Sequence, residues 1–446
     1  MPDFIVKTKK IFLLLGDIAI LYLSLYLSLW LRYLSSPQTA GRWEDNLLSF
    51  SLVFAFWLII FFINDFYDLK ISYNNLKLFN LIAKCFIINA IAAVVIFYFA
   101  SPLFASIKPQ RILVIDLIVA FILIFAWRKF FYQFIQTGRI VNKVLIIGQS
   151  PLAHGLAKEI NDRPQLGYKA TVEPQLPDNL KNYCQTEGIN ILIISNELKN
   201  HSEDGKKIFA CLSLGIDVYN INGFFEQITG TIPVEFIDHS WFLENLAENS
   251  KKSYEIIKRG LDVILAIVGL IVTAIFIPII ALIIKLESPG PVIFKQIRTG
   301  KNGKPFLAMK FRSMVADAEK NGAQWAQKND PRITRFGRLM RKTRIDEIPQ
   351  LINILRGEMS FVGPRPERPE FIEVLTREIP FYQERLLVKP GLAGWAQLKG
   401  PSYGGSKEES LEKLKYDLYY VKNRSLFLDL TIILKTIRIV LGGKGQ

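Results

Sequence analysis

The chain has 446 residues, half of them hydrophobic, with a mean hydropathy of +0.24 and a formal net charge of +15. That apolar content excludes an ordinary soluble protein, and it makes an anionic membrane a better partner for the positive charge than nucleic acid, at about 1 kcal/mol per basic residue near the surface. Three cysteines (Cys85, Cys184, Cys211) without C-x-x-C spacing and three scattered histidines (His154, His201, His239) argue against a disulfide framework and a His-based zinc site.

The length leaves room for two or three domains. Four apolar stretches come first: 11–31, 47–64, 85–100 and 112–127. The last two are short for a bilayer crossing of roughly 20 residues, but apolar flanks extend both. Basic residues favour one side. Lys7, Lys9 and Lys10 precede the first stretch, Lys70 and Lys77 separate the second from the third, and Arg128, Lys129, Arg139 and Lys143 follow the fourth. The positive-inside rule then predicts a four-span bundle over 1–141 with both ends in the cytoplasm. The first stretch reads as a span and not a cleaved leader, because further spans follow. Asp17 and Asp116 lie within spans, where helix–helix hydrogen bonding is the expected role.

Residues 142–250 change character. Val144–Ile147 reads as a buried parallel strand, followed by Gly148 and a helical pattern through Ile160. Further strand candidates are 191–194 and 216–219, and the alternation predicts a Rossmann-like α/β domain. The phosphate-cradling fingerprint is missing: Gln149 and Ser150 follow Gly148, and the next glycine is Gly155. A structural or dimerising domain is the expectation.

Residues 251–446 form the third part. The apolar run 261–286 is long enough to cross a membrane, yet both flanks are basic: Lys251, Lys252, Lys258 and Arg259 before it, Lys285, Lys295 and Arg298 after. Pro278 removes a helix hydrogen bond within the run. A helix that enters the membrane and returns satisfies both facts. Leu426–Leu441, with Lys435 and Arg438 interspersed, reads as an interfacial amphipathic helix.

Between Lys295 and Arg344 lie fourteen Lys/Arg and three Asp/Glu, and the next charged residues are the adjacent pair Asp346-Glu347. Of the chain's four adjacent acidic pairs, only this one abuts a basic run. Ile348, Leu351, Ile352 and Leu355 fall on one helical face, Pro349 suits a first turn and Gly357 an end. The dyad is thus placed at or just before a helix N-terminus, where the macrodipole favours an ionised carboxylate, as a nucleophile or Mg²⁺ ligand must be. On composition alone, a catalytic pair and a solvated one both remain open. Gly363-Pro-Arg-Pro-Glu367 and the loop from Lys389 to Gln397 are rigid Pro/Gly segments. They carry Arg365, Lys389 and Trp395, which can fix phosphates or stack a base.

Five motifs occur in order: Lys310-Phe-Arg312-Ser-Met314, then 341–357 with its dyad, Met359-Ser-Phe-Val-Gly-Pro-Arg-Pro366, Pro390-Gly-Leu-Ala-Gly-Trp-Ala-Gln397 and Tyr416-Asp-Leu-Tyr-Tyr-Val-Lys422. Together they resemble the bacterial polyprenyl-phosphate hexose-1-phosphate transferases, the monotopic phosphoglycosyl transferases that initiate exopolysaccharide and O-antigen assembly. The resemblance covers roughly 253–446, and the upstream order looks like the long-form members.

What the resemblance implies is a four-span membrane helical bundle (1–141), a degenerate Rossmann-like domain (142–250) and a monotopic, α-rich catalytic domain (251–446) with a re-entrant helix near 261–286. It implies that Asp346 is the nucleophile on the β-phosphate of a UDP-sugar, with Glu347 its partner. Asp346, Glu347 and Asp417 would hold Mg²⁺. Lys310, Arg312, Arg341, Arg365, Trp395 and Gln397 would bind substrate phosphates or nucleotide. The acceptor would be undecaprenyl phosphate, in a ping-pong scheme at the bacterial inner membrane with the soluble and catalytic parts cytoplasmic. Contacts with membrane lipids and a homodimer are expected. The family's re-entrant helix carries Ser-Pro at its break. Here Ala274-Ile275 takes that place and Pro278 follows a turn later.

Two rivals are weighed against this. A membrane-anchored nucleotide-sugar dehydratase or epimerase would use a pair like Tyr254-x-x-x-Lys258 but needs the absent glycine fingerprint. A non-enzymatic membrane scaffold leaves the dyad and ordered loops unexplained.

Overall fold

The structure, a computed structural model, describes residues 2–33, 39–69, 75–100, 110–136, 141–195, 202–246, 251–315, 318, 330–401 and 406–442. Lys70, Arg139 and, within the basic run, Lys320 and Lys328 lie outside the described residues. The chain divides into two compact units, Met1–Thr229 and Gly230–Gln446.

The first unit opens with four long helices: α1 (Pro2–Arg32), α2 (Thr39–Ile63), α3 (Asn75–Ala100) and α4 (Gln110–Gln136). Among the described residues, Val6–Arg32, Trp43–Ile63 and Asn75–Phe99 are long and apolar enough to cross a membrane. α4 carries Asp116, Arg128 and Lys129 in or beside its apolar stretch and does not meet that measure. Its charges have partners. Arg128 forms a buried ion pair with Asp17 of α1 and donates to Phe66 O at 3.1 Å. Asp116 accepts from Ser24 Oγ at 2.7 Å. Both acids of the apolar stretches therefore tie α1 to α4, as a helix–helix role requires. Gly16 lets the same two helices close up: a Cβ there would stand 2.3 Å from the Trp127 ring.

Four parallel strands follow: β1 (Asn142–Ile147), β2 (Tyr168–Glu173), β3 (Ile191–Ile194) and β4 (Asp217–Asn220), in the order β2-β1-β3-β4. The helices α5 (Pro151–Asn161), α6 (Leu180–Glu187) and α7 (Ser202–Leu212) connect them, and α8 (Ile221–Thr229) closes the unit. Strand residues alternate between two cores. Val144, Ile146, Ile191 and Ile193 join the cluster containing α5 and α8. Leu145, Ile147, Leu192 and Ile194 join one with Cys184 and Cys211. β2 was not expected from sequence. Its buried Tyr168 and Ala170 alternate with exposed Lys169 and Thr171, the one-sided pattern of a sheet edge.

The second unit begins with Ile232 and Val234, buried among Ile372, Leu375, Leu414 and Leu418, and then α9 (His239–Asn245). α10 (Lys252–Ala274) and α11 (Ile277–Glu287) form a bent pair, turning by 63° at Ile275-Phe276. The cause is visible in the sequence: Pro278 has no N–H to give to Ala274 O four residues back, and α10 ends at Ala274. Ala266, Ile280 and Ile284 face the protein, while Ile264, Ile271, Ile275, Leu282 and Leu286 face outward. A hairpin, β5 (Ile293–Thr299) and β6 (Pro305–Phe311), comes next. After it lie α12 (Arg335–Thr343), α13 (Gln350–Arg356), β7 (Ser360–Val362), α14 (Pro369–Glu378), β8 (Gly391–Ala393, parallel to β7), α15 (Trp395–Lys399), α16 (Lys407–Asn423) and α17 (Leu426–Leu441). In α17 the polar Asp429 and Lys435 are buried while Phe427 and Leu430 are exposed. That reversal of the soluble pattern suits contact with lipid.

Candidate active site

The dyad sits in a turn between two helices. Thr334 caps α12 by accepting from Gly337 N at 3.0 Å, and Glu287, the last residue of α11, accepts from Phe336 N at 2.9 Å. α12 stops where Arg344 takes a left-handed conformation (φ 59°). A single 3-10 turn, Ile345–Glu347, then buries both carboxylates, and Pro349 leads into α13. The buried Asn353 fixes α13 against β6: its Nδ2 donates to Leu307 O at 2.7 Å and its Oδ1 accepts from Met309 N at 3.1 Å. Lys310 is the next residue on β6, so its placement against the dyad follows from that contact.

Three cations converge on one oxygen. Glu347 Oε1 accepts from Lys310 Nζ (3.0 Å), Arg344 Nη1 (3.3 Å) and Arg365 Nη2 (2.8 Å). Charge-assisted bonds of this kind are the strong ones. Despite the cost of burial, the charges of Arg365, Lys310 and Arg344 hold the Glu347 carboxyl well below the usual carboxylate range. Arg365 is held by a tight backbone crossing. Gly363 N donates to Ala393 O, Gly391 N donates to Pro364 O, both at 2.9 Å, and a Cβ on Gly363 would stand 2.3 Å from Lys389 O. Behind the loop, Arg385 donates to Arg365 O at 3.1 Å and pairs with Asp417 at 2.7 Å.

Asp346 is the opposite case. Its Oδ1 is buried and has no hydrogen-bond partner among the described residues. Burial, and then the neighbouring Glu347 charge, push its pKa up, against the pull of Lys310 and Arg341. The expected position just ahead of a helix start is found. The dyad lies in a 3-10 turn ahead of α13, and side-chain charges rather than the macrodipole govern it. A buried, unpaired acceptor costs about 1–3 kcal/mol, and such a group is a natural point for a ligand.

Of the residues expected at the site, Lys310, Arg341 and Arg365 gather on the dyad. Arg341 also donates from Nε to Ser313 Oγ at 2.8 Å. Others are placed elsewhere. Arg312 is buried with its guanidinium on Ser288 O (2.6 Å) and Pro289 O (2.8 Å), clamping the chain as it leaves α11. Trp395 donates to Gly230 O at 3.0 Å and stacks on Tyr419, so its ring is committed to packing. Gln397 leaves a buried Oε1 without a partner among the described residues. Asp417 does not join the dyad, because Arg385 holds it. Among the described residues no group of three or more His, Cys, Asp and Glu side chains could hold a metal ion. The predicted Asp346, Glu347, Asp417 set is therefore not assembled. Pro278 marks the helix break. Ile352, expected on the inner face of α13, points out, and Asn353 and Ile354 are buried instead.

Sequence reasoning missed Arg344, Glu287, Ser313, Asn353 and Arg385. Arg344 was legible as the residue three before Glu347 in the basic run. The others act through folding contacts that no local pattern reveals.

Comparison with known proteins supplies the context. The bacterial sugar transferase family matches residues 253–443. A UDP-N-acetylgalactosamine-undecaprenyl-phosphate N-acetylgalactosaminephosphotransferase of Aeromonas hydrophila is 43% identical over 53% of this chain, which spans 55% of that relative's length. An exopolysaccharide production protein of Rhizobium leguminosarum is 43% identical over 41% of the chain and 94% of its own length. A UDP-glucose:undecaprenyl-phosphate glucose-1-phosphate transferase of Xanthomonas campestris is 32% identical over 71% of the chain and 70% of its own length. The dyad with its cationic shell thus lies within the matched segment, and the chain belongs to the bacterial sugar transferase family.

Proposed function

We propose that this chain transfers a sugar-1-phosphate from a UDP-sugar to undecaprenyl phosphate, releasing UMP, as the first membrane step of polysaccharide assembly. The Aeromonas and Xanthomonas relatives act on a UDP-sugar and undecaprenyl phosphate by their names. The observation that carries the reading is the asymmetry of the dyad: Glu347 is neutralised by three cations on one oxygen, while Asp346 presents a buried, unpartnered Oδ1.

In the proposed reaction, an Asp346 oxygen attacks the β-phosphorus. The bond from that phosphorus to the bridging anhydride oxygen breaks, and UMP leaves with the oxygen. The sugar phosphate remains on Asp346 as an acyl phosphate until an oxygen of the lipid phosphate attacks the same phosphorus and frees the carboxylate. One phosphoanhydride is exchanged for another, so no ATP is needed. Two steps let one nucleophile serve both substrates. Lys310, Arg341 and Arg365 supply fixed positive charge where phosphate oxygens gather.

A divalent cation fits the orphaned Asp346 Oδ1, since Mg²⁺ is typically held by one or two carboxylates plus substrate phosphates. Asp346 and Glu347 would hold it, and Mg²⁺ would supply charge neutralisation of the diphosphate. Asp417 instead supports the Arg365 loop through Arg385.

The finer architecture is part of the same proposal. We read the four helices as a four-span bundle, the parallel sheet as a degenerate Rossmann-like domain, and the α10–α11 pair as a re-entrant helix with the catalytic part facing the cytoplasm. Support for re-entry is that both ends of the pair are fastened to one body. Arg259 near the start donates to Ile354 O and Leu355 O, and Glu287 at the end caps α12. A homodimer in the inner membrane completes the reading. The dehydratase alternative loses its Tyr254–Lys258 pair, because both side chains are tied to Asp429, at 2.8 and 2.7 Å.

The test is UMP release from a panel of UDP-sugars, with and without undecaprenyl phosphate and Mg²⁺, for wild type and Asp346→Asn. Metal-dependent release with one sugar, lost in the variant, supports the reading and identifies the donor. Undiminished lipid-linked sugar formation by Asp346→Asn would remove Asp346 as the nucleophile, and no UMP release with any UDP-sugar would return attention to a scaffold.

A further inference from the structure

α13 has the dyad turn ahead of its start and two cations at its end. Gly357 closes the helix with φ 80°, and a Cβ there would stand 3.5 Å from Lys389 Nζ and 3.6 Å from Arg259 Nη2. Two positive groups, from the start of α10 and the loop before β8, thus approach one bare backbone position. Across the seven residues of α13, at 1.5 Å rise each, this point lies about 10 Å along the axis from the dyad end.

The two cations differ in their commitments. Arg259 donates to Ile354 O at 2.5 Å and to Leu355 O at 2.7 Å, carbonyls of the last turn of the helix. Lys389 is in no ion pair among the described residues, and burial, then the Arg259 charge, pull its pKa down. Beside them is a cavity of about 30 Å³, lined in part by Lys258, Asp262, Glu255 and Arg424. It has room for about two waters. Most of its charges are spent on one another. Lys258 pairs with Asp429 at 2.7 Å and Arg424 with Glu255 at 3.1 Å, while Asp262 accepts from Ser360 Oγ and Phe361 N. Lys258, Arg259, Lys389 and Arg424 thus stand against Glu255, Asp262 and Asp429, and a positive excess remains. Like charges held this close are relieved by an anion between them.

Ile256, Ile257 and Leu261 on the adjacent turns of α10 are exposed and apolar. This is the composition of a membrane boundary. We infer that Arg259 and Lys389 bind the phosphate of an anionic lipid headgroup, at a site separate from the dyad. The chemistry is a tetrahedral phosphate set between a guanidinium and an ammonium. Because Arg259 also grips the last carbonyls of α13, the bound headgroup steadies the helix that follows the dyad turn.

The inference rests on the membrane-transferase reading, but its test needs no turnover. The full chain is placed in nanodiscs of phosphatidylcholine with or without phosphatidylglycerol, and phosphatidylglycerol retained on extraction is counted by native mass spectrometry. Wild type and Lys389→Arg should retain it, and Lys389→Gln should retain about fivefold less, the equivalent of about 1 kcal/mol for one basic residue at an anionic surface. Thermal unfolding of each variant shows that it is folded. Equal retention by a folded Lys389→Gln overturns the site. Inorganic phosphate titrated into phosphatidylcholine discs separates the two sources. Phosphate binding that Lys389→Gln loses, without any difference in lipid retention, would assign the site to a soluble anion and overturn the lipid.

Discussion

Arg365 Nη2 lies 2.8 Å from Glu347 Oε1, joining the β7–β8 crossing to the turn that carries the dyad. The contact spends Glu347 on charge balance and leaves Asp346 as the acid whose buried Oδ1 has no hydrogen-bond partner among the described residues. It also explains why a Gly-Pro-Arg-Pro loop has to be rigid: the guanidinium must arrive at a fixed place.

Arg365→Ala should therefore lower kcat/KM about 100-fold, which corresponds to about 2.7 kcal/mol of transition-state stabilisation. Arg365→Lys should recover only part of it, since an ammonium lacks the planar fork. Steady-state kinetics of UMP release check this, and a change below about threefold would remove Arg365 from the phosphate shell.

Arg312→Ala should act on stability more than on chemistry. Two carbonyls, Ser288 O and Pro289 O, lose their donor, a loss of about 1–3 kcal/mol. A lowered unfolding temperature with an unchanged KM for the UDP-sugar is the expected result. The reverse pattern would restore Arg312 to phosphate binding.

Trp395→Phe removes the bond to Gly230 O and keeps the apolar ring. The expectation is a stability loss of about 1 kcal/mol with the UDP-sugar KM unchanged. A KM raised about tenfold at unchanged stability would mean that the ring stacks on the uridine.

Pro278→Ala restores an N–H that can reach Ala274 O, so α10 and α11 should straighten toward one continuous helix. Single-cysteine labelling beside Ser288, from either side of a sealed vesicle, reads the outcome. Accessibility that does not change would mean that packing of Ile280 and Ile284, not the proline, sets the bend.

Much of this was legible in the sequence, for reasons that differ by residue. The break at Ala274 follows from Pro278 by the helix hydrogen-bond rule. The ends of α13 follow from Pro349 and Gly357, and the strands 144–147 and 191–194 from unbroken apolar runs. The convergence of Lys310, Arg341 and Arg365 came from ordered motifs and not from any local pattern. The backbone contacts of Arg312 and Trp395 were not legible, because a cation in a phosphate-like motif and a tryptophan in a Gly-rich loop look the same whether they meet a ligand or a backbone carbonyl. The resemblance places Asp417 at the metal, and nothing near it in sequence announces its ion pair with Arg385, thirty-two residues earlier. The inward turn of Asn353 needed the partner strand β6.

The central claim is that Asp346 carries the sugar phosphate between donor and acceptor. Its most direct test is the intact mass of the protein after incubation with a productive UDP-sugar and Mg²⁺ in the absence of lipid phosphate. The account predicts a gain of one sugar phosphate, mapped to the peptide containing Asp346, absent from Asp346→Asn and discharged on adding undecaprenyl phosphate. UMP release that begins only when undecaprenyl phosphate is added, with no mass gain beforehand, would contradict it and point to direct transfer between the two substrates.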